Sequence, residues 1–172
     1  MKALTTAIVF FSILIICCNK QETPAVNIHV AALQGNTKAI QQHIKAGTDL
    51  NVKDQYGSSP LIIATTFGKT ETAIALINAG ADLKVTNNEG STPLHIAAFL
   101  CRTKIVQALL EKGADKNLRN NSGSTPLESV IAPFEKVKPV YDSIAKGLGP
   151  LGLKLDYERI KSTRPKIADM LM

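Results

Sequence analysis

STPLHIAAFLCRTKIVQALLEKGAD, residues Ser91–Asp115, is the stretch whose reading decides the fold. Pro93 opens a short helix, since a proline in the first helical turn gives up an N–H that has no partner there. Thr92 precedes it with a hydroxyl able to cap that start. After a break, Ile105, Val106, Leu109 and Leu110 recur at helical spacing and define the apolar side of a second helix. Gly113 ends it, at the position where helices turn left-handed. The same outline stands 33 residues upstream in SSPLIIATTFGKTETAIALINAGAD, Ser58–Asp82. It recurs at Val26–Asp49, and begins again at Ser124, Thr125, Pro126 and Leu127. Pro60, Pro93 and Pro126 keep the interval, as do Gly47, Gly80 and Gly113, Gly57, Gly90 and Gly123, and Asp49, Asp82 and Asp115. The segments before Gly57, Gly90 and Gly123 are rich in Asn and Asp, as tight turns require.

A 33-residue period carrying T-P-L-H, then A-A, then G-A-D resembles the ankyrin repeat. The resemblance runs from Val26 to Pro133. It implies an all-α repeat solenoid of helix–turn–helix units joined by β-hairpin loops. About four repeats are expected, near 26–58, 59–91, 92–124 and 125–172, within a domain spanning 26–172. The first is atypical, as end repeats are: Asn27 replaces the proline, and His43 stands where Leu76 and Leu109 do, which reads as an exposed cap face. His29 and His95 hold the position whose imidazole, in this family, bonds the neighbouring hairpin. Ile62 and Glu128 occupy it in the other repeats, so that tie is incomplete. Gly35 and Gly68 end the inner helices of the first two repeats, and Cys101 takes that place in the third.

The resemblance also implies where a partner would touch. In this family partners contact the hairpin tips and the inner-helix residues after A-A. Carried over, the tips are Lys53, Gln55, Tyr56 and Ser58; Thr86, Asn88, Glu89 and Ser91; Arg119, Asn121, Ser122 and Ser124. The inner-helix positions are Leu33, Gln34, Thr66, Phe67, Phe99 and Leu100. Leu33, Phe67, Phe99 and Leu100 are large and apolar where the fold does not need them. They mark either a contact site or a place where the chain covers itself.

The period breaks at Pro133. Pro139, Gly147, Gly149, Pro150 and Gly152 exclude one uninterrupted helix beyond it. Yet Arg164–Met172, RPKIADMLM, is similar to Arg102–Leu110, RTKIVQALL, with Pro165 at the start of a helix. Pro93 to Ile105 is 12 residues, whereas Pro126 to Ile167 is 41. The expectation is a fourth repeat split by an insertion at about 134–163, with Val137, Val140, Tyr141, Ile144 and Leu148 on one short amphipathic helix. Ile167, Met170 and Leu171 should then pack near Ile105 and Leu109. A frayed tail after three repeats is the alternative.

At the other end, Lys2 and the apolar run Ala7–Ile16 have the make-up of a secretory signal, too short for the roughly 20 residues that span a bilayer. Cys17–Cys18 closes the run, and Asn19-Lys20-Gln21-Glu22 turns polar at once. This resembles a bacterial lipoprotein signal. Residues 1–17 would be removed, Cys18 rather than Cys17 would carry lipid, and 18–25 would form a lipidated linker; an uncleaved anchor is the alternative. The implied location is the bacterial cell envelope, lipid-anchored and facing the periplasm or the surface.

Composition limits the function further. The formal charge is +6, with 10 basic and 8 acidic side chains in 27–132 and 8 and 5 in 133–172. Without a block of like charge or a tryptophan, nucleic acid is not the expected partner. No phosphate loop, C-x-x-C, H-E-x-x-H or G-x-S-x-G pattern occurs, so no enzyme, cofactor, metal or small-molecule substrate is expected. What remains is a membrane-tethered module that binds an unidentified envelope protein through hairpin tips and the inner-helix groove. The alternative is a structural envelope lipoprotein with no discrete partner.

Overall fold

The inner helices begin alike because the sequence supplies the same cap each time. In the computed structural model, which describes residues 24–172, Ser59, Thr92 and Thr125 are extended and accept a hydrogen bond from the backbone three residues on. Each precedes a proline-initiated helix: α3 (Pro60–Thr66), α5 (Pro93–Phe99) and α7 (Pro126–Ile131). The first repeat lacks the proline, and Asn27 caps α1 (Ile28–Gln34) with its side chain instead. The apolar run and Cys18 expected as the lipid site lie outside the described residues.

Outer helices pair with them: α2 (Thr37–Lys45), α4 (Thr70–Asn78) and α6 (Thr103–Glu111). Ala39, Ala73 and Val106, with Ile40, Leu76, Ile105 and Leu109, are buried where these helices meet the inner row. Each Leu or Ile removed from water in this way stabilises the stack by about 1.5–3 kcal/mol. Inner helices touch inner helices along α1, α3, α5 and α7, and outer helices touch along α2, α4 and α6. Ala31, Ala32, Ala64, Ala97 and Ala98 are fully buried between them, where a larger side chain would hold the rows apart. The described residues contain no strand, and the expected hairpins are paired turns. Asp54, Asn87 and Asn120 each accept from two backbone N–H groups of their own tip. Asp49, Asp82 and Asp115 likewise each accept from the backbone two residues on, which makes them turn residues.

Beyond α7 the period is interrupted. Ala132 and Pro133 are extended, as the residue before a proline is biased to be, and the chain leaves the stack. It runs through α8 (Phe134–Leu148), a 3-10 turn at Gly149–Leu151, and α9 (Tyr157–Leu171). α9 lies against α7 and α6, in the place of a fourth outer helix. Its buried residues Ile160, Arg164, Ile167 and Leu171 fall on one side. Ile167 and Leu171 are buried, whereas Met170 is only partly so.

Two expectations need correcting here. α9 starts at Tyr157, capped by Asp156, so its first seven residues come from the stretch expected to be insertion. Pro165 consequently lies inside the helix rather than at its start. A proline there removes one backbone bond, and burial on both sides of it holds the helix together. His43 is also not on an exposed cap face. It is 7 % exposed, with Nε2 2.7 Å from the Val26 carbonyl and Nδ1 3.1 Å from Thr48 Oγ1, so it fastens the entering chain to α2.

Candidate partner-binding face

The hairpin tips and inner-helix ends are built by different interactions at the two halves of the stack. At the first tip, His29 Nε2 lies 2.9 Å from the Val52 carbonyl, which holds the start of α1 beside the turn. Tyr56 (67 % exposed), Val30 (42 %) and Val52 (40 %) project from this region. Lys53 and Gln55 beside them are exposed and Ser58 is half-buried. Val30 and Val52 do not stand out in the sequence, because the same positions one period on, Ile63 and Val85, are covered by neighbours. An end repeat is packed on one side only, and that is the signal that could have found Val30.

The later tips are polar and lean on one another. Asn121 takes the Glu89 carbonyl with its backbone N–H and the Asn88 carbonyl with Nδ2, both at 3.0 Å. The side chains of Asn88 and Asn121 fill the space where a Cβ on Gly57 or Gly90 would stand. Both asparagines therefore sit in tip-to-tip packing as well as at the surface, where Glu89 is exposed and Thr86 and Ser91 are half-buried. Arg119 is drawn to Glu128 at 2.8 Å. Glu128, in the histidine position of the fourth inner helix, accepts the Thr125 N–H, and that bond with Arg119 beside it holds its carboxyl below the usual range. Glu128 thus caps its own helix and holds the hairpin before it, whereas His29 and His95 reach forward to the hairpin that follows. Ser122 is exposed and Ser124 half-buried, with the Ser124 carbonyl 3.0 Å from His95 Nε2.

His95 itself is fixed from both sides. The Thr92 N–H donates to Nδ1 at 3.2 Å, so Nε2 carries the proton and donates to Ser124. Burial holds its pKa below the ordinary value.

The inner-helix ends diverge most. Leu33 and Phe67 are half-buried and Gln34 is exposed. Thr66 bonds the Ile62 carbonyl, and its own carbonyl takes Arg102 Nη2 at 3.0 Å. In the third repeat the chain covers itself. Leu100 is 2 % exposed, which removes it from the expected contact residues and places it in the core. Phe99 stacks on Tyr141 of α8, ring centroids 4.3 Å apart and 11° from parallel. The Tyr141 hydroxyl donates to the Phe99 carbonyl at 2.6 Å and accepts from Arg164 Nη1 at 2.8 Å. Burial pushes the Tyr141 phenol up to about 12. Sequence spacing put Tyr141 on an amphipathic helix but held no signal for its target, 42 residues away.

No group of three or more His, Cys, Asp or Glu side chains is placed to hold a metal among the described residues. The face offers shape, apolar surface and backbone-anchored polar groups, the means of binding another macromolecule. The family model for Ankyrin repeats (3 copies) matches residues 28–120. No curated protein matches the chain.

Proposed function

The chain belongs to the ankyrin repeat family, a non-enzymatic protein-interaction fold, and from that premise we propose a membrane-tethered binding module of the bacterial cell envelope. It holds a protein partner at the tips and inner-helix ends of its first two repeats. The observation that carries this reading is that the first two repeats leave Val30, Val52 and Tyr56 exposed and Leu33 and Phe67 half-buried. A large aromatic left two-thirds exposed on a rigid, Asx-capped turn is the kind of anchor interfaces are built on. At the third repeat the corresponding inner-helix surface is occupied by α8, so the free part of the face lies toward the N-terminus.

The tether rests on the sequence before residue 24: the apolar run Ala7–Ile16 ending in Cys17–Cys18. A multiply acylated Cys18 anchors stably where one chain would be marginal. The short span from there to Val26 keeps the repeats within about 30 Å of the bilayer. Mass spectrometry of the mature protein is expected to show an acylated N-terminal Cys18 and no residues 1–17. Chemical crosslinking in intact cells should then enrich one envelope protein, lost in a Tyr56→Glu, Phe67→Ala double variant that keeps its helical content. If a folded double variant captures the same protein, the face is elsewhere. If nothing is captured from either, a structural envelope lipoprotein without a discrete partner is the better reading.

A further inference from the structure

α8 is held to the molecule through very little. Tyr141 is the one buried residue among its fifteen. Phe134 and Val137 are partly covered, while Val140 is 50 % exposed. Beyond the Tyr141–Arg164 bond, its ties to α9 gather around Tyr157 and Lys161. Tyr157 Oη donates to Asp142 at 2.8 Å, and its ring lies 6.3 Å from those of Phe134 and Tyr141 and under Lys138. Lys161 lies 3.7 Å from Glu135 and over the Phe134 ring. The ion pair among these is exposed and holds weakly. Pro139 removes a backbone bond within the helix. The helix is flanked by turning points, extended Pro133 at one end and left-handed Gly152 (φ 96°) beyond the other.

The stack does not depend on it. α5, α7 and α9 contact one another directly. Arg164 would lose the Tyr141 hydroxyl on release, yet its Nη2 keeps the Ala132 carbonyl at 2.7 Å and the Ser129 carbonyl at 3.3 Å. Cys101 Sγ would stay against the Ile160 carbonyl of α9 at 3.6 Å.

We propose that α8 is a detachable strap: it closes the inner-helix end of the third repeat by laying Tyr141 on Phe99, and opens as a unit while the helix pairs stay folded. Closed, the partner face ends at the second repeat; open, Phe99 extends it. The placement of that face rests on the reading above, whereas the opening itself does not. Segments with few buried contacts open at lower free energy than the core around them.

Hydrogen exchange by peptide mass spectrometry on the full chain reads this without any partner. Protection factors in 134–148 are expected at least tenfold lower than in 93–99 and 157–171. Tyr141→Phe, which keeps the ring and removes the hydroxyl, should lower protection in 134–148 several-fold further and leave 28–111 unchanged. One shared protection factor for α5, α8 and α9 in the unsubstituted chain would overturn the proposal. So would a Tyr141→Phe variant that leaves α8 protection unchanged, or one that loses protection equally everywhere. A failure to find a partner leaves this result standing, and an α8 that does not open leaves the first two repeats free to bind.

Discussion

Gly68, between α3 and α4, and Cys101, between α5 and α6, occupy one position of the period and share one backbone conformation, φ 64° and 54°. Their surroundings differ. Over Gly68 lies the guanidinium of Arg102, so close that a Cβ would stand 2.8 Å from its Cζ, with Nη2 on the Thr66 carbonyl. Gly35 is covered in the same way by Lys69. Over the third loop the equivalent arginine, Arg164, stands back. Tyr141 is interposed and passes the hydrogen bond on to the Phe99 carbonyl. Arg159 takes the Cys101 carbonyl at 3.1 Å. The first arrangement needs glycine because the next repeat lies directly on it. In the second, the insertion keeps the next repeat's cation at a distance and leaves room for a side chain. A direct contact between neighbouring repeats has become a relay from Arg164 through Tyr141 to Phe99.

The largest expected effect comes from removing the first member of that relay. Arg164 is 4 % exposed and donates to Tyr141, Ser129 and Ala132. Arg164→Ala leaves the buried Tyr141 oxygen and the half-buried Ser129 and Ala132 carbonyls without this donor and should cost about 3 kcal/mol in urea unfolding. A loss below about 1 kcal/mol would mean that these acceptors find water and that α9 is not a working member of the stack.

Gly68→Ala comes next, at about 2 kcal/mol, from left-handed strain and displacement of Arg102. Its counterpart, Cys101→Gly, sharpens the comparison. Relief of strain favours the glycine, but the thiol is 1 % exposed under α9, and the void it leaves offsets the gain. The variant should lie within about 1 kcal/mol of the parent. A matching loss at both sites would show that the third loop has no more tolerance than the second.

Smaller still is the effect of pH on the junction of the third and fourth repeats. Burial lowers the pKa of His95, so the unfolded chain takes up its proton first. Stability from this group is complete above the unfolded value of about 6.5 and is lost as pH falls from there through the lower folded value. Melting temperature should therefore drop on acidification below pH 6.5, and His95→Gln should flatten that section of the curve. Parallel curves would place the proton uptake elsewhere.

The period made the repeats legible because it ties three independent signals, proline, glycine and the apolar stripe, to one interval. The same logic failed at residue 165, where a proline that matched a helix start turned out to sit inside a longer helix. Its start at Tyr157, capped by Asp156, falls outside any repeat to compare it with. Phe99 and Leu100 showed as surplus apolar positions, but only the structure shows α8 over the first and core around the second. The exposed Val30 was hidden by an interval that compares it with covered positions.

The division of the face into an open N-terminal region and a self-covered third repeat is the central claim, and site-specific photocrosslinking in intact cells tests it most directly. A benzophenone amino acid in place of Tyr56 is expected to join the chain to another protein. In place of Phe99 it is expected to join α5 to α8 within the chain, mapped to the peptide carrying Tyr141. Crosslinks to another protein from position 99 and none from position 56 would contradict the account.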